Sequence, residues 1–85
     1  MGVYMAITAD IFSEMQILCL FDVADAQKGI KIHSDAEPSA IAAAQRLFNK
    51  QLISQMDGGY LTPLGYEAMV KLQQSLHILR TTPML

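Results

Sequence analysis

Apolar residues recur along this chain with two different periods, and the switches between them divide it into elements. Ile11, Phe12, Met15, Leu18 and Cys19 return every three or four residues, which predicts a first helix over about 8–21. Thr8 is placed to cap it, and Asp10 and Glu14 lie toward the positive end of its dipole. Periodicity then weakens over 22–29 until Gly29 breaks it, and part of that stretch is open to a helical reading. Ile30-Lys31-Ile32-His33 alternates instead, with β-branched residues on one side, so a short strand is expected with Lys31 and His33 on its wet face.

A second helix is expected over about 38–51. Ser34 to Glu37 fits a capping box, whereas Pro38 suits the first position of a helix beginning after Glu37; the two readings differ by one turn. The apolar stripe of this helix runs through Ile41, Ala44, Leu47 and Phe48 to Gln51 or Leu52, which assigns Ser39, Ala42, Ala43, Arg46, Asn49 and Lys50 to the opposite, exposed face. Leu52 to Gln55 and Tyr60 to Thr62 read as two strands of a hairpin, reversed by Met56-Asp57-Gly58-Gly59 through the positive φ that Asp-Gly and Gly-Gly supply. Thr62 caps a third helix, with Pro63 first and an end at about 79 or 80. Met69, Leu72, Leu76 and Leu79 form a short heptad seam on it, either a face packed on the first helix or a dimerisation surface.

Composition favours the second of those options. The 85 residues suffice for one compact domain, taken as 8–80 with a dimerisation helix over 63–80 and tails at 1–7 and 81–85. Hydrophobic residues make up 52% and charged ones only 16%, against about 25% charged in ordinary soluble domains, so a disordered chain is excluded. A domain with so few charges has apolar surface left over, and a homodimer is the simplest use for it. Apolar runs such as Ile17–Phe21 fall far short of the ~20 residues of a membrane span.

Cys19 is the one cysteine, so no intrachain disulfide forms, and it is expected as a small buried hydrophobe in a reducing compartment. The N-terminus has no basic region leading into an apolar stretch and a cleavage site. Gly2 resembles the start of a myristoylation signal, yet Ala6 stands where Ser or Thr is needed, and the cytoplasm is the expected compartment. The net charge of −2 is unevenly spread. Asp10, Glu14, Asp22 and Asp25 face no Lys or Arg within 1–25, while all six cations lie beyond, so any phosphate-facing surface belongs to the later part.

Helix, strand, helix, hairpin and long helix is close to the winged-helix order. The fold class expected is therefore mainly α with a small antiparallel β-hairpin as the wing, in the order α-β-α-β-β-α. Arg46 to Ile53 followed by Asp57-Gly-Gly-Tyr-Leu-Thr-Pro-Leu-Gly65 resembles the recognition-helix end and wing of MarR- and PadR-like bacterial regulators. Those proteins show Leu-x-x-x-Gly-Leu-Ile, a turn, then Tyr-x-Leu-Thr-x-x-Gly leading into a dimerisation helix; here Gln51 stands where Gly is usual. Gly29 to Pro38, Ile41 to Leu47 and Asp57 to Thr62 also resemble a small uncharacterised bacterial family of predicted DNA-binding proteins, a likeness that extends from Thr8 to Leu79. A complete helix-turn-helix further needs a supporting helix, which only 22–29 or the 34–37 turn could supply.

The resemblance implies a DNA-reading role for the second helix. Ser39, Ala42 and Ala43 would allow close approach to the groove, Arg46 would reach a guanine edge or a phosphate, Asn49 would pair with adenine, and Lys50 would hold the backbone. Lys28 and Lys31, with His33, would add phosphate contacts, whereas Asp57 at the wing tip would repel them. The plainer alternatives are a solvated helix face rich in helix-forming Ala and an edge strand protected by a Lys. His33 and His77 lie on separate elements without a placed carboxylate or Cys, and Gly58-Gly59 does not sit between a strand and a helix, so neither enzyme, metal nor cofactor is expected. The expected function is homodimeric binding of double-stranded DNA, as a small transcriptional regulator or architectural binder. The rival is a protein-interaction module in which Ala42, Ala43 and Arg46 face another protein, motivated by the acidic net charge and the scarce Lys and Arg.

Overall fold

A computed structural model describes residues 7–25, 27–81 and 83. Thr8 begins the first helix as its position predicts, its Oγ1 accepting a hydrogen bond from the Ile11 N–H at 3.1 Å. The helix, α1, runs Ala9–Leu18 and so ends three residues before the expected 21. Leu20 and Phe21 donate to the Ile17 and Leu18 carbonyls, three residues back, a tightened last turn that carries Phe21 into the core. Cys19 and Leu20 are turned outward by the same step. Cys19, expected inside, is exposed together with Ile11 and Phe12 of the expected stripe, because α1 buries the adjoining side that carries Glu14, Ile17 and Leu18 and leads into Phe21.

Residues 22–25 form turns and not a helix. Asp22 Oδ1 accepts from the Ala24 N–H at 2.9 Å and Asp25 Oδ1 from the Gln27 N–H at 3.0 Å, local bonds that compete with helical ones. Residue 26 lies outside the described residues. The 34–36 segment is a turn as well, so among the described residues no supporting helix precedes the next one.

Strand β1, Ile30–Lys31, precedes helix α2, Pro38–Asn49. Glu37 occupies the cap position without a side-chain bond and Pro38 is the first helical residue, which decides against the capping box at Ser34. The C-terminus of α2 closes early in a Schellman motif: Leu52 N–H donates to the Leu47 carbonyl and Gln51 N–H to that of Phe48, both at 2.9 Å. Gln51 thereby takes φ 65°, the left-handed conformation for which Gly is the usual choice.

Strands β2, Ile53–Gln55, and β3, Gly58–Leu61, form the hairpin. The reversal falls on Met56-Asp57, one residue earlier than the glycine dipeptides suggest. Gly58 (φ 125°) and Gly59 (φ 71°) instead lie within β3, where Gly59 and Tyr60 together oppose Ser54 in a bulge and Ser54 Oγ accepts from the Tyr60 N–H at 2.8 Å. β1 pairs with β3 on its other edge, giving a three-stranded antiparallel sheet in the order β1-β3-β2. The whole is mainly helical, α-β-α-β-β-α, and winged-helix-like, as expected.

Helix α3, Pro63–Thr81, is tied to the end of α2 through Thr62. Its Oγ1 donates to the Gln51 carbonyl at 2.6 Å and accepts from the Gly65 N–H at 3.1 Å, while its own N–H donates to the Leu52 carbonyl at 3.1 Å. A Cβ at position 65 would overlap the Leu52 carbonyl oxygen, so this junction requires Gly65.

The core comprises Ile17, Leu18 and Phe21, Ala43, Ala44 and Leu47, Ile53, and Met69. Helix α2 is covered by α1 on one side and by the sheet on the other, so its buried arc is wider than one stripe. Ala43, assigned to the exposed face, is fully buried for that reason, its small side chain allowing the helices to approach. Phe48, assigned to the stripe, lies at the edge of the arc and is 37% exposed. Met69, the first residue of the expected dimerisation seam, is fully buried in the chain's own core; Leu72 and Leu76 are half-buried and Leu79 is exposed.

Candidate nucleic-acid interface

Burial of Ala43, Ala44 and Leu47 fixes how α2 is turned. At about 100° per residue, the opposite arc centres on Ala42, Gln45 and Asn49, with Ser39 and Arg46 on one flank and Ile41 and Phe48 on the other. Gln45 is therefore a candidate contact that the sequence reading omitted, and Ala43 leaves the set. The missed signal was the helical wheel itself, on which position 45 falls about 40° from 49 and about 60° from 42.

Arg46 and Lys50 lean toward α1. Arg46 Nε donates to Glu14 Oε2 at 2.7 Å and its Nη2 to the Asp10 carbonyl at 3.2 Å, with Asp10 Oδ1 3.7 Å away. Lys50 Nζ donates to the other oxygen, Glu14 Oε1. Glu14 is only 5% exposed. Burial alone would raise its carboxyl pKa, but hydrogen bonds from Lys50 and Arg46, with their charges, outweigh burial and hold it below the ordinary value. The two cations assigned to the groove are thus first of all ligands of a buried carboxylate. Their side chains stay 30% and 47% exposed, so each keeps some outward surface.

The flanking cations are similarly engaged. Lys31 Nζ lies 2.8 Å from Asp57 Oδ2, a bridge between β1 and the hairpin tip that holds the Asp57 carboxyl below its usual range. Lys71 pairs with Glu67 within α3, at 2.7 Å. Lys28 is exposed, with no ion pair among the described residues. A cavity of about 350 Å³ lies between α2, β1 and the hairpin tip, lined by Lys31, His33, Ser34, Ile41, Gln45 and Asp57 among others. The structure therefore brings Ala42, Gln45, Asn49 and Lys31 to one side of the molecule, with Ser39, Arg46 and Lys50 at its α1 margin.

Among the described residues no group of three His, Cys, Asp or Glu side chains is placed to hold a metal ion. Nor is any helix among them long and apolar enough to cross a membrane. No curated protein and no solved structure matches this chain. One family does, over residues 5–80: the chain belongs to the family described as Family of unknown function (DUF5669).

Proposed function

We propose that this chain is a small, non-enzymatic, cytoplasmic protein that binds duplex DNA by laying the outer face of α2 in the major groove and acts by occupancy, as a regulator or an architectural binder. The observation that carries the reading is the small, uncharged, polar face Ser39, Ala42, Gln45 and Asn49. It stands on the helix immediately before the hairpin of a winged-helix-like fold. Gln45 and Asn49 supply the amides that pair with an adenine edge, and Ala42 lets the backbone come close. Lys28 and Lys31 reach phosphates beside it, while Arg46 and Lys50 use the donors that Glu14 leaves outward. Because Asp10, Glu14 and Asp57 accompany these cations, the salt dependence should be shallower than about 0.9 log units per cation in the interface.

The test is a duplex titration followed by amide NMR at low and then moderate salt. Shifts should gather on 28–33 and 39–49 and fade with salt, and Gln45→Ala with Asn49→Ala should reduce discrimination among duplex sequences by about 1–3 kcal/mol per lost base pairing. No movement of those amides at low salt refutes DNA binding.

A second reading is favoured by the same ion pairs. Arg46 and Lys50 neutralised by Asp10 and Glu14, on a chain of net charge −2, suit an α2 face that meets another protein. A companion that co-purifies from native lysate after nuclease treatment and is lost with Gln45→Ala and Asn49→Ala would favour it.

A further inference from the structure

Helix α3 is longer than the core beneath it. Its buried residues, Gly65 and Met69, lie in its first half, and Gln73 Nε2 pins its middle by donating to the Phe21 carbonyl at 3.2 Å. Beside that pin runs a groove of about 580 Å³, lined by Val70, Gln74, His77, Ile78 and Arg80 of α3 and by Val23 of the turn after α1. Positions 70, 74, 77 and 78 stand one or two turns apart on the same side of α3, a ridge of the kind that packs against another helix. Ile78 on that ridge is 61% exposed.

Charge identifies the occupant. The Val23 wall is flanked in the chain by exposed Asp22 and Asp25, and the α3 wall carries Arg80 and His77. One surface thus bears both an acidic and a cationic border around an apolar centre, the self-complementarity that a two-fold contact between identical chains requires. We propose that this groove is the homodimer interface, filled by α3 of a second copy lying antiparallel in it, so that Arg80 of one protomer approaches the acidic turn of its partner. The seam is then the Val70, Gln74, His77 and Ile78 side of α3 and not the Met69, Leu72, Leu76 and Leu79 side. The proposal is independent of DNA binding and is tested without DNA.

Sedimentation equilibrium of the full chain should give a particle of twice 9.4 kDa at micromolar concentration. Ile78→Glu should weaken the dimer about tenfold or more with an unchanged circular dichroism spectrum, because two copies of the residue enter each interface. Leu79→Glu, at a still more exposed position on the other side of α3, should leave it intact. Arg80→Glu should weaken the dimer and Asp22→Lys in the same chain should restore it. A monomer at all concentrations overturns the proposal, as does a dimer broken by Leu79→Glu and not by Ile78→Glu. Failure of Asp22→Lys to restore the Arg80→Glu dimer overturns the antiparallel assignment.

Discussion

Replacing Glu14 by Gln tests the ion-pair cluster that joins α1 to α2. Glutamine fills the same volume, so packing is kept and the loss is electrostatic. Glu14 accepts from Arg46 Nε at 2.7 Å and from Lys50 Nζ, two charge-assisted hydrogen bonds to a side chain only 7% exposed. The amide oxygen can keep one of these in weaker, singly charged form, while the amide nitrogen presents a donor to the other donor. A hydrogen bond to a charged group contributes about 1.5–3 kcal/mol. Arg46 and Lys50 are 30% and 47% exposed, so each recovers part of that from water. The expected cost is about 2 kcal/mol, read from urea unfolding followed by circular dichroism at pH 7. The pH dependence carries a definite sign. The folded Glu14 carboxyl titrates below its ordinary value of 4.5, so its contribution is complete above that value and disappears as pH falls through the lower, folded value. The gap between wild type and Glu14→Gln should therefore be constant from pH 7 down to about 5 and shrink in more acid solution. A gap below about 0.5 kcal/mol at pH 7, the range of ordinary surface changes, refutes the reasoning. So does one that is unchanged by acid.

The remaining predictions concern the junction between α2 and α3. Gln51→Gly should stabilise the fold by about 0.5–1 kcal/mol, since relief of a left-handed non-glycine residue exceeds the added chain entropy, and the melting temperature should rise by a few degrees; an unchanged or lower value contradicts the Schellman ending. Gly65→Ala should cost about 3 kcal/mol or more, because its Cβ meets the Leu52 carbonyl and the helix or the hairpin must move; a denaturation midpoint like that of the wild type would show the approach to be looser.

Features whose cause lies within a few residues were legible in the sequence. Thr8, Pro38 and Thr62-Pro63 mark helix starts because capping and the missing proline N–H act over a single turn. Alternation at 30–33 marks the β1 edge, where Ile30 and Ile32 pack on the core and Lys31 and His33 face water. What failed was placement that depends on a distant neighbour. The apolar period of α1 runs through Ile11, Phe12 and Cys19, but these are exposed, because the helix turns the side with Glu14, Ile17, Leu18 and Phe21 onto α2 and the core. The hairpin turn moved by one residue because Gly59 and Tyr60 of β3 together oppose Ser54, an extra residue that strict alternation does not count.

The candidate site was the least legible part, and the reason is specific. Arg46 and Lys50, four apart on one helix, read alone as a solvated or phosphate-facing pair. The same spacing equally lets two cations converge on one acceptor from a neighbouring helix, and only the acceptor decides between them. Glu14 is 32 residues from Arg46 and 36 from Lys50. It carries its own mark, because Glu14 stands three, four and seven residues before Ile17, Leu18 and Phe21, on the side of α1 that is buried, while Ile11 and Phe12 of the expected stripe are 38% and 53% exposed. A carboxylate there needs cations brought to it, and a partner helix with a basic residue at i and i+4 supplies them. Joining those two marks turns α2 by less than one residue step. It places Ala43 against α1 and leaves Ala42, Gln45 and Asn49 as the outward face, the arrangement on which the DNA proposal stands.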